Sequence, residues 1–187
     1  MRWEPNARGR LGQAAFELFT ERGFEQVTVA EIAERAGLTE RTFFRYFADK
    51  REVLFAGADG FQDLFVSTVA TAPGDAAPID AVAAALYAAA AMLDSHEDGA
   101  RRRAAIIAAH PDLRERELIK LATVAAAVAD ALRARGVPDP AAALAAEAGL
   151  AVFKTAFARW IAAPSGPALP GLVTDSLDAL KSVTAGK

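Results

Sequence analysis

Residues 39–51 gather Thr39, Arg41, Thr42, Arg45, Lys50 and Arg51 against only two acidic side chains, Glu40 and Asp49. An arginine fork bonds bidentately to the guanine edge in the major groove of DNA. Hydroxyls and ammonium groups anchor phosphate oxygens, which fixes position without reading sequence. These residue types at this density therefore suit a nucleic-acid surface. The chain as a whole carries a net charge of −3, but Glu17, Glu21 and Glu25 lie outside this stretch, which is locally positive. Charge alone does not decide the matter, because a solvated helix face carries similar residues. The scaffold that would present them must be legible too.

That scaffold is two short helices around a tight turn. Thr28 and Glu31 have the spacing of a capping box and open a helix that ends near Ala36 and Gly37. Thr39 caps the next helix, which runs to about Phe47. Ala33 is small where the two helices must approach, and Gly37 stands at the turn, where a positive φ is needed. Ile32, Ala36, Leu38, Phe43 and Tyr46 have the spacings that pack such a pair. The pattern predicts a helix-turn-helix, preceded by a helix over 6–22 with Leu11, Ala14, Ala15, Leu18 and Phe19 on one face. Asp49 and Glu52 read as a second capping box, opening a longer helix through Leu54, Phe61, Phe65 and Val69. A break over 72–78 comes after it, then helices over about 79–94, 99–109, 111–135, 138–162 and 169–183. No window alternates as a strand does. The expected fold is all-α, with about four helices in a head and five in a body, and the expected domains are 1–48 and 49–187.

Composition narrows the function classes. Without cysteine there is no disulfide, thiolate metal site or cysteine nucleophile. His96 and His110 share no helical face with a carboxylate set, so no metal site and no cofactor is expected. Neither a nucleophile–base pair nor a phosphate-cradling glycine loop is visible, which argues against an enzyme. Residues 1–10 are polar and charged, unlike a signal peptide. The longest apolar run, 81–93, is shorter than the roughly 20 residues of a spanning helix. A soluble cytoplasmic protein with no membrane partner is the expectation.

The stretch TVAEIAERAGLTERTFFRYFADKREVL resembles the signature of the TetR (tetracycline-repressor-like) family, with the match strongest over about 11–54. The resemblance implies a three-helix DNA-binding head and a helical body that dimerises and binds a small effector. It implies that Thr28, Thr39, Tyr46 and Lys50 touch the phosphate backbone, while Arg41, Thr42 and Arg45 face the bases. The sequence departs from the family pattern at Arg41, where glycine is frequent, and at Phe44, where tyrosine is common. Operator preference is therefore this chain's own. Arg2, Arg8 and Arg10 are candidates for further contacts from an N-terminal arm, or ordinary solvated charges.

For the body, the resemblance implies a dimer built by the last two helices. Gly149 would allow close helix approach there, and Ile161, Leu169, Leu172, Val173, Leu177 and Leu180 supply apolar stripes. Tyr87, Met92, Phe153, Phe157 and Trp160 are the bulky groups available to line a mostly apolar effector pocket, with Lys154 or Arg159 to meet an anion. Arg101, Arg102 and Arg103 read as a solvated face. The expected function is a sequence-specific transcriptional regulator, a repressor that binds double-stranded palindromic operator DNA as a homodimer and is released by a small molecule. The rival reading is a helical interaction or ligand-binding module without specific DNA binding. The long helix from Asp49 is the expected lever between body and head.

Overall fold

Local chemistry sets where each helix begins and stops. The structure, a computed structural model, describes residues 6–186. Helix α1 (Ala7–Arg22) opens with the Asn6 side chain accepting from the Gly9 N–H at 3.1 Å. It stops at Gly23, whose φ of 84° is open only to glycine without strain. Helices α2 (Val29–Arg35) and α3 (Glu40–Tyr46) start on Thr28 and Thr39, as their spacing predicts. The later helices are α4 (Ala58–Thr71), α5 (Pro78–Asp94), α6 (Glu97–Ala109), α7 (Pro111–Ala134), α8 (Ala141–Ala162) and α9 (Leu169–Thr184). Proline sits in the first turn of α5 and α9, where a missing N–H costs nothing. No strand occurs among the described residues.

The expected long helix from Asp49 is broken. Asp49 does accept from the Glu52 N–H at 2.9 Å, but the element it opens is a short 3-10 turn (Glu52–Phe55), and α4 starts only at Ala58. Val53, Leu54 and Phe55 are all buried. Their burial comes from partners distant in sequence, since the same core includes Ile107 and Leu113. Ala56 and Gly57 then separate the short turn from α4.

Two compact units result. The head unit comprises 6–59 together with 102–114, so it takes in more than the expected 1–48. Its core joins Leu11, Leu18 and Phe19 of α1, Ile32 of α2 and Phe43 of α3 to Val53, Leu54 and Phe55. Ile107 and Leu113, distant in sequence, complete that core. Arg103 fastens the same segment, donating to the Leu54 carbonyl at 3.1 Å and covering the Phe55 ring.

The body unit comprises 60–101 and 115–186. Helix α8 is its axis: Ala142, Ala146, Leu150, Phe153, Ala156 and Trp160 are buried on one face, against α5 and α9. By length and composition α8 could cross a membrane, but this face belongs to the body core. Gly149 has a different role from the one expected. A Cβ there would stand 2.3 Å from Val82 Cγ1, so the close approach it permits is to α5 of the same chain. Leu169, Leu172, Val173 and Leu177 are likewise buried within the chain, with Ile161 and Leu180 packed beside them. Arg101 is no solvated charge. It bonds Glu97 at 2.7 Å, donates to the Trp160 carbonyl at 2.6 Å at the end of α8, and lies 4.4 Å over the Trp160 ring.

Candidate nucleic-acid interface

The turn between α2 and α3 is built from backbone outward. Gly37 has φ 65°, and the Leu38 N–H reaches back to the Ala33 carbonyl at 2.8 Å. The Arg10 guanidinium donates to the Ala36 carbonyl, so this arginine braces the turn from α1. Ile32, Ala33, Ala36 and Phe43 are buried between the helices, with Leu38 half-buried. Tyr46 does not join them. Its side chain is exposed, and Phe47 fills the core instead, because a buried Phe43 places position 47, one turn on, on the same face.

The capping of α2 is reciprocal. The Thr28 hydroxyl accepts from the Glu31 N–H at 3.3 Å, and Glu31 accepts from the Thr28 N–H at 2.8 Å. The Thr28 N–H, the Arg22 guanidinium and the Thr28 hydroxyl, in that order, pull the Glu31 carboxyl down to about 2. On α3 the Thr39 hydroxyl accepts from the Thr42 N–H at 3.2 Å and lies 3.1 Å from the Thr42 hydroxyl. These threonines hold helix ends and remain at the surface, Thr28 and Thr39 exposed and Thr42 half-buried.

With Phe43 and Phe47 turned inward, α3 presents Arg41, Phe44 and Arg45 on its outer side. Their i, i+3, i+4 spacing makes one face. Arg41 makes no hydrogen bond or ion pair among the described residues, which leaves its fork available. The Arg45 guanidinium lies 4.9 Å from the centre of the Tyr46 ring and donates to its hydroxyl at 3.3 Å. The base-facing and backbone-facing candidates of α3 are thus brought together on an exposed surface.

Lys50 and Arg51 stand apart from that surface. The Lys50 ammonium donates to the Phe24 carbonyl at 2.8 Å and sits 4.4 Å over the Phe24 ring, on the loop between α1 and α2. Arg51 is paired with Asp112, which holds that carboxyl below its usual range. Arg8 is also folded back, paired with Asp59 at 2.8 Å and lying over Phe47; Arg2 lies outside the described residues.

The pocket candidates of the body separate into two groups. Phe153 and Trp160 are buried, and Phe153, Phe157 and Trp160 form a ladder of rings about one helical turn apart along α8, with Phe61 and Phe65 beside it. Tyr87 and Met92 are exposed on α5, and the Tyr87 hydroxyl lies 3.1 Å from that of Thr174. A cleft of about 80 Å³ opens elsewhere, between α7 and α8, lined by Leu118, Leu121, Ala122, Ala125, Glu147, Leu150 and Lys154. Of the expected residues only Lys154 is on it, while Arg159 is held by Asp175 at 3.3 Å. Drug-sized ligand sites occupy about 300–1,000 Å³, so the cleft would have to widen to take one.

A braced helix-turn-helix with an arginine-bearing outer face, joined to an all-helical body, defines a class of DNA-binding regulators. Comparison with known proteins makes the assignment narrower. The family model of bacterial regulatory proteins of the tetR family matches residues 12–56, and that of the MftR C-terminal domain matches residues 76–185. The second match alone spans more than half of the chain, and the chain belongs to the TetR family. The HTH-type transcriptional regulator TcmR of Streptomyces glaucescens is 36% identical over 81 residues, which are 43% of this chain and 36% of that protein. The HTH-type transcriptional repressor KstR2 of Mycobacterium tuberculosis is 38% identical over 56 residues, 30% of this chain and 28% of its own. These alignments span well under half the relatives' length. In fold, the chain is similar to SmeT of Stenotrophomonas maltophilia in complex with triclosan, with a TM-score of 0.68, 20% identity, and coverage of 95% of this chain and 90% of that one.

Proposed function

We propose that this protein is a sequence-specific transcriptional regulator that reads operator DNA with α3, as a homodimer, and is released by a small apolar molecule bound in the body. The observation that carries the reading is the exposed face of α3, where Arg41 and Arg45 project from a helix fixed by buried Phe43 and by the braced Gly37 turn. Thr28, Thr39, Thr42 and Tyr46 lie at the surface beside it and suit phosphate contacts. Lys50 joins them only if it leaves the Phe24 carbonyl. Repression is the sign of regulation we favour, in keeping with the name of KstR2 and the description of SmeT as a repressor. The cytoplasm is where such a regulator meets its DNA.

Dimerisation would use the outward stripe of α8. Leu144, Ala148, Ala151, Thr155 and Ala158 recur at alternating spacings of four and three, and none is buried. Small side chains in that rhythm let two helices pack closely. Two heads would then meet half-sites one helical turn, about 34–36 Å, apart. The effector reading rests on the triclosan complex of SmeT and on the mostly apolar lining of the α7–α8 cleft, to which Glu147 and Lys154 add one charge of each sign. Selection of bound sequences from a random duplex pool tests the proposal. An enriched inverted repeat is the expected result; recovery of unrelated sequences that wash off with salt would favour an interaction module instead.

A further inference from the structure

Exposed apolar side chains are rare in the head. Among its described residues only Phe44 and Tyr46 are large, hydrophobic and exposed, and both lie on α3. Tyr46 has a hydroxyl, and its ring is covered by the Arg45 guanidinium. Phe44 has neither. More than half of its surface, 55%, is open to solvent. Its ring meets that of buried Phe43 at a ring-centre distance of 5.4 Å and an angle of 81°. Exposing a phenyl group to water is unfavourable, so its position on the face that carries the two arginines calls for a partner.

We infer that Phe44 is a specificity residue that selects a thymine in each operator half-site by packing against its C5-methyl group. The inference rests on the DNA-binding reading above and adds the chemistry of one base. A phenyl ring offers no hydrogen bond, so it cannot pair with phosphate oxygens or with the donors and acceptors of base edges. The apolar group that a standard base pair presents in the major groove is the thymine methyl. Arg41 precedes Phe44 by one helical turn and Arg45 comes directly after it. Those two charges favour a polyanion over an apolar protein surface as the occupant of this face. A ring flanked by two guanidinium forks matches a half-site in which a thymine lies beside guanines.

The test replaces each thymine of the selected half-site in turn by deoxyuridine, which removes the methyl and keeps the pairing. Affinity is measured for the full-length wild type, Phe44→Ala and Phe44→Leu. One position is expected to lose about fourfold per half-site with the wild type, the worth of one buried methyl-sized group. That loss disappears with Phe44→Ala and persists in part with Phe44→Leu, while the thermal melts of all three coincide. If no thymine responds, or if Phe44→Ala responds as the wild type does, Phe44 does not read the methyl. If no sequence is enriched from the pool at all, the DNA-binding reading falls and this one with it.

Discussion

Lys50 shows how a side chain of the right type can be committed elsewhere. Its position after α3 suggests a phosphate anchor, yet its ammonium tethers the α1–α2 loop through the Phe24 carbonyl and ring. Two roles predict different outcomes for Lys50→Ala. The tether predicts that the free protein loses about 1–2 kcal/mol in a denaturant titration, with the salt dependence of DNA binding unchanged. A phosphate anchor predicts unchanged stability and a salt slope smaller by about one. Glu31 adds a pH dependence at the same scale. Its carboxyl falls from an ordinary value of 4.5 to about 2 on folding, so its contribution is complete above about 4.5 and is lost as pH falls towards 2. Glutamine can still close a capping box but does not titrate. Glu31→Gln should therefore show a shallower loss of stability than wild type between pH 4.5 and 2, measured by denaturation at several pH values. Parallel curves would mean the cap does not sense the charge.

At the scale of elements, the sequence announces helix ends better than helix paths. Thr28, Thr39, Gly23 and the prolines that open α5 and α9 act through backbone hydrogen bonds or φ within a few residues, and those boundaries are legible. The run Val53, Leu54, Phe55 is not, because its conformation depends on a core completed by Ile107 and Leu113. Arg101 and Gly149 mislead for the same reason: their partners, the end of α8 and Val82 of α5, are 59 and 67 residues away in sequence. The exposed face of α3 is half legible. Arg41 and Arg45 stand out by type, whereas Phe44 becomes informative only once Phe43 and Phe47 are known to face inward. The α5–α8 contact allows a direct check. Gly149→Ala gains helix propensity but drives a methyl into Val82 of α5, a β-branched residue that in a helix strongly prefers one χ1 rotamer. We expect a net loss of about 1–3 kcal/mol in unfolding free energy, relieved by adding Val82→Ala. A stabilised Gly149→Ala protein would contradict the packing of α8 on α5.

At the scale of the whole molecule, the chain passes between head and body at 59/60, 101/102 and 114/115. A change of shape in the body therefore has three chain crossings through which to reach α3, in place of the one long helix expected from Asp49. The segment 102–114 is built into the head by Ile107, Leu113, Arg103 and Asp112. It is the route we favour for coupling effector to DNA, with typical coupling free energies of about 1–3 kcal/mol. The proposed dimer has its own test. Ala151→Arg places a charge in the middle of the proposed α8 stripe, and sedimentation should show a folded monomer with weakened operator binding; an unchanged dimer would move the interface off α8. In the proposed function, α3 reads sequence through its two outward arginines. The decisive experiment titrates wild type and the Arg41→Ala/Arg45→Ala double variant against the selected operator and a scrambled duplex of the same length. The variant is expected to lose about 1–3 kcal/mol per base-reading arginine on the operator and much less on the scrambled duplex, with its melting temperature unchanged. Equal losses on both duplexes would make these arginines phosphate contacts, and no loss on either would contradict the assignment of α3 as the recognition helix.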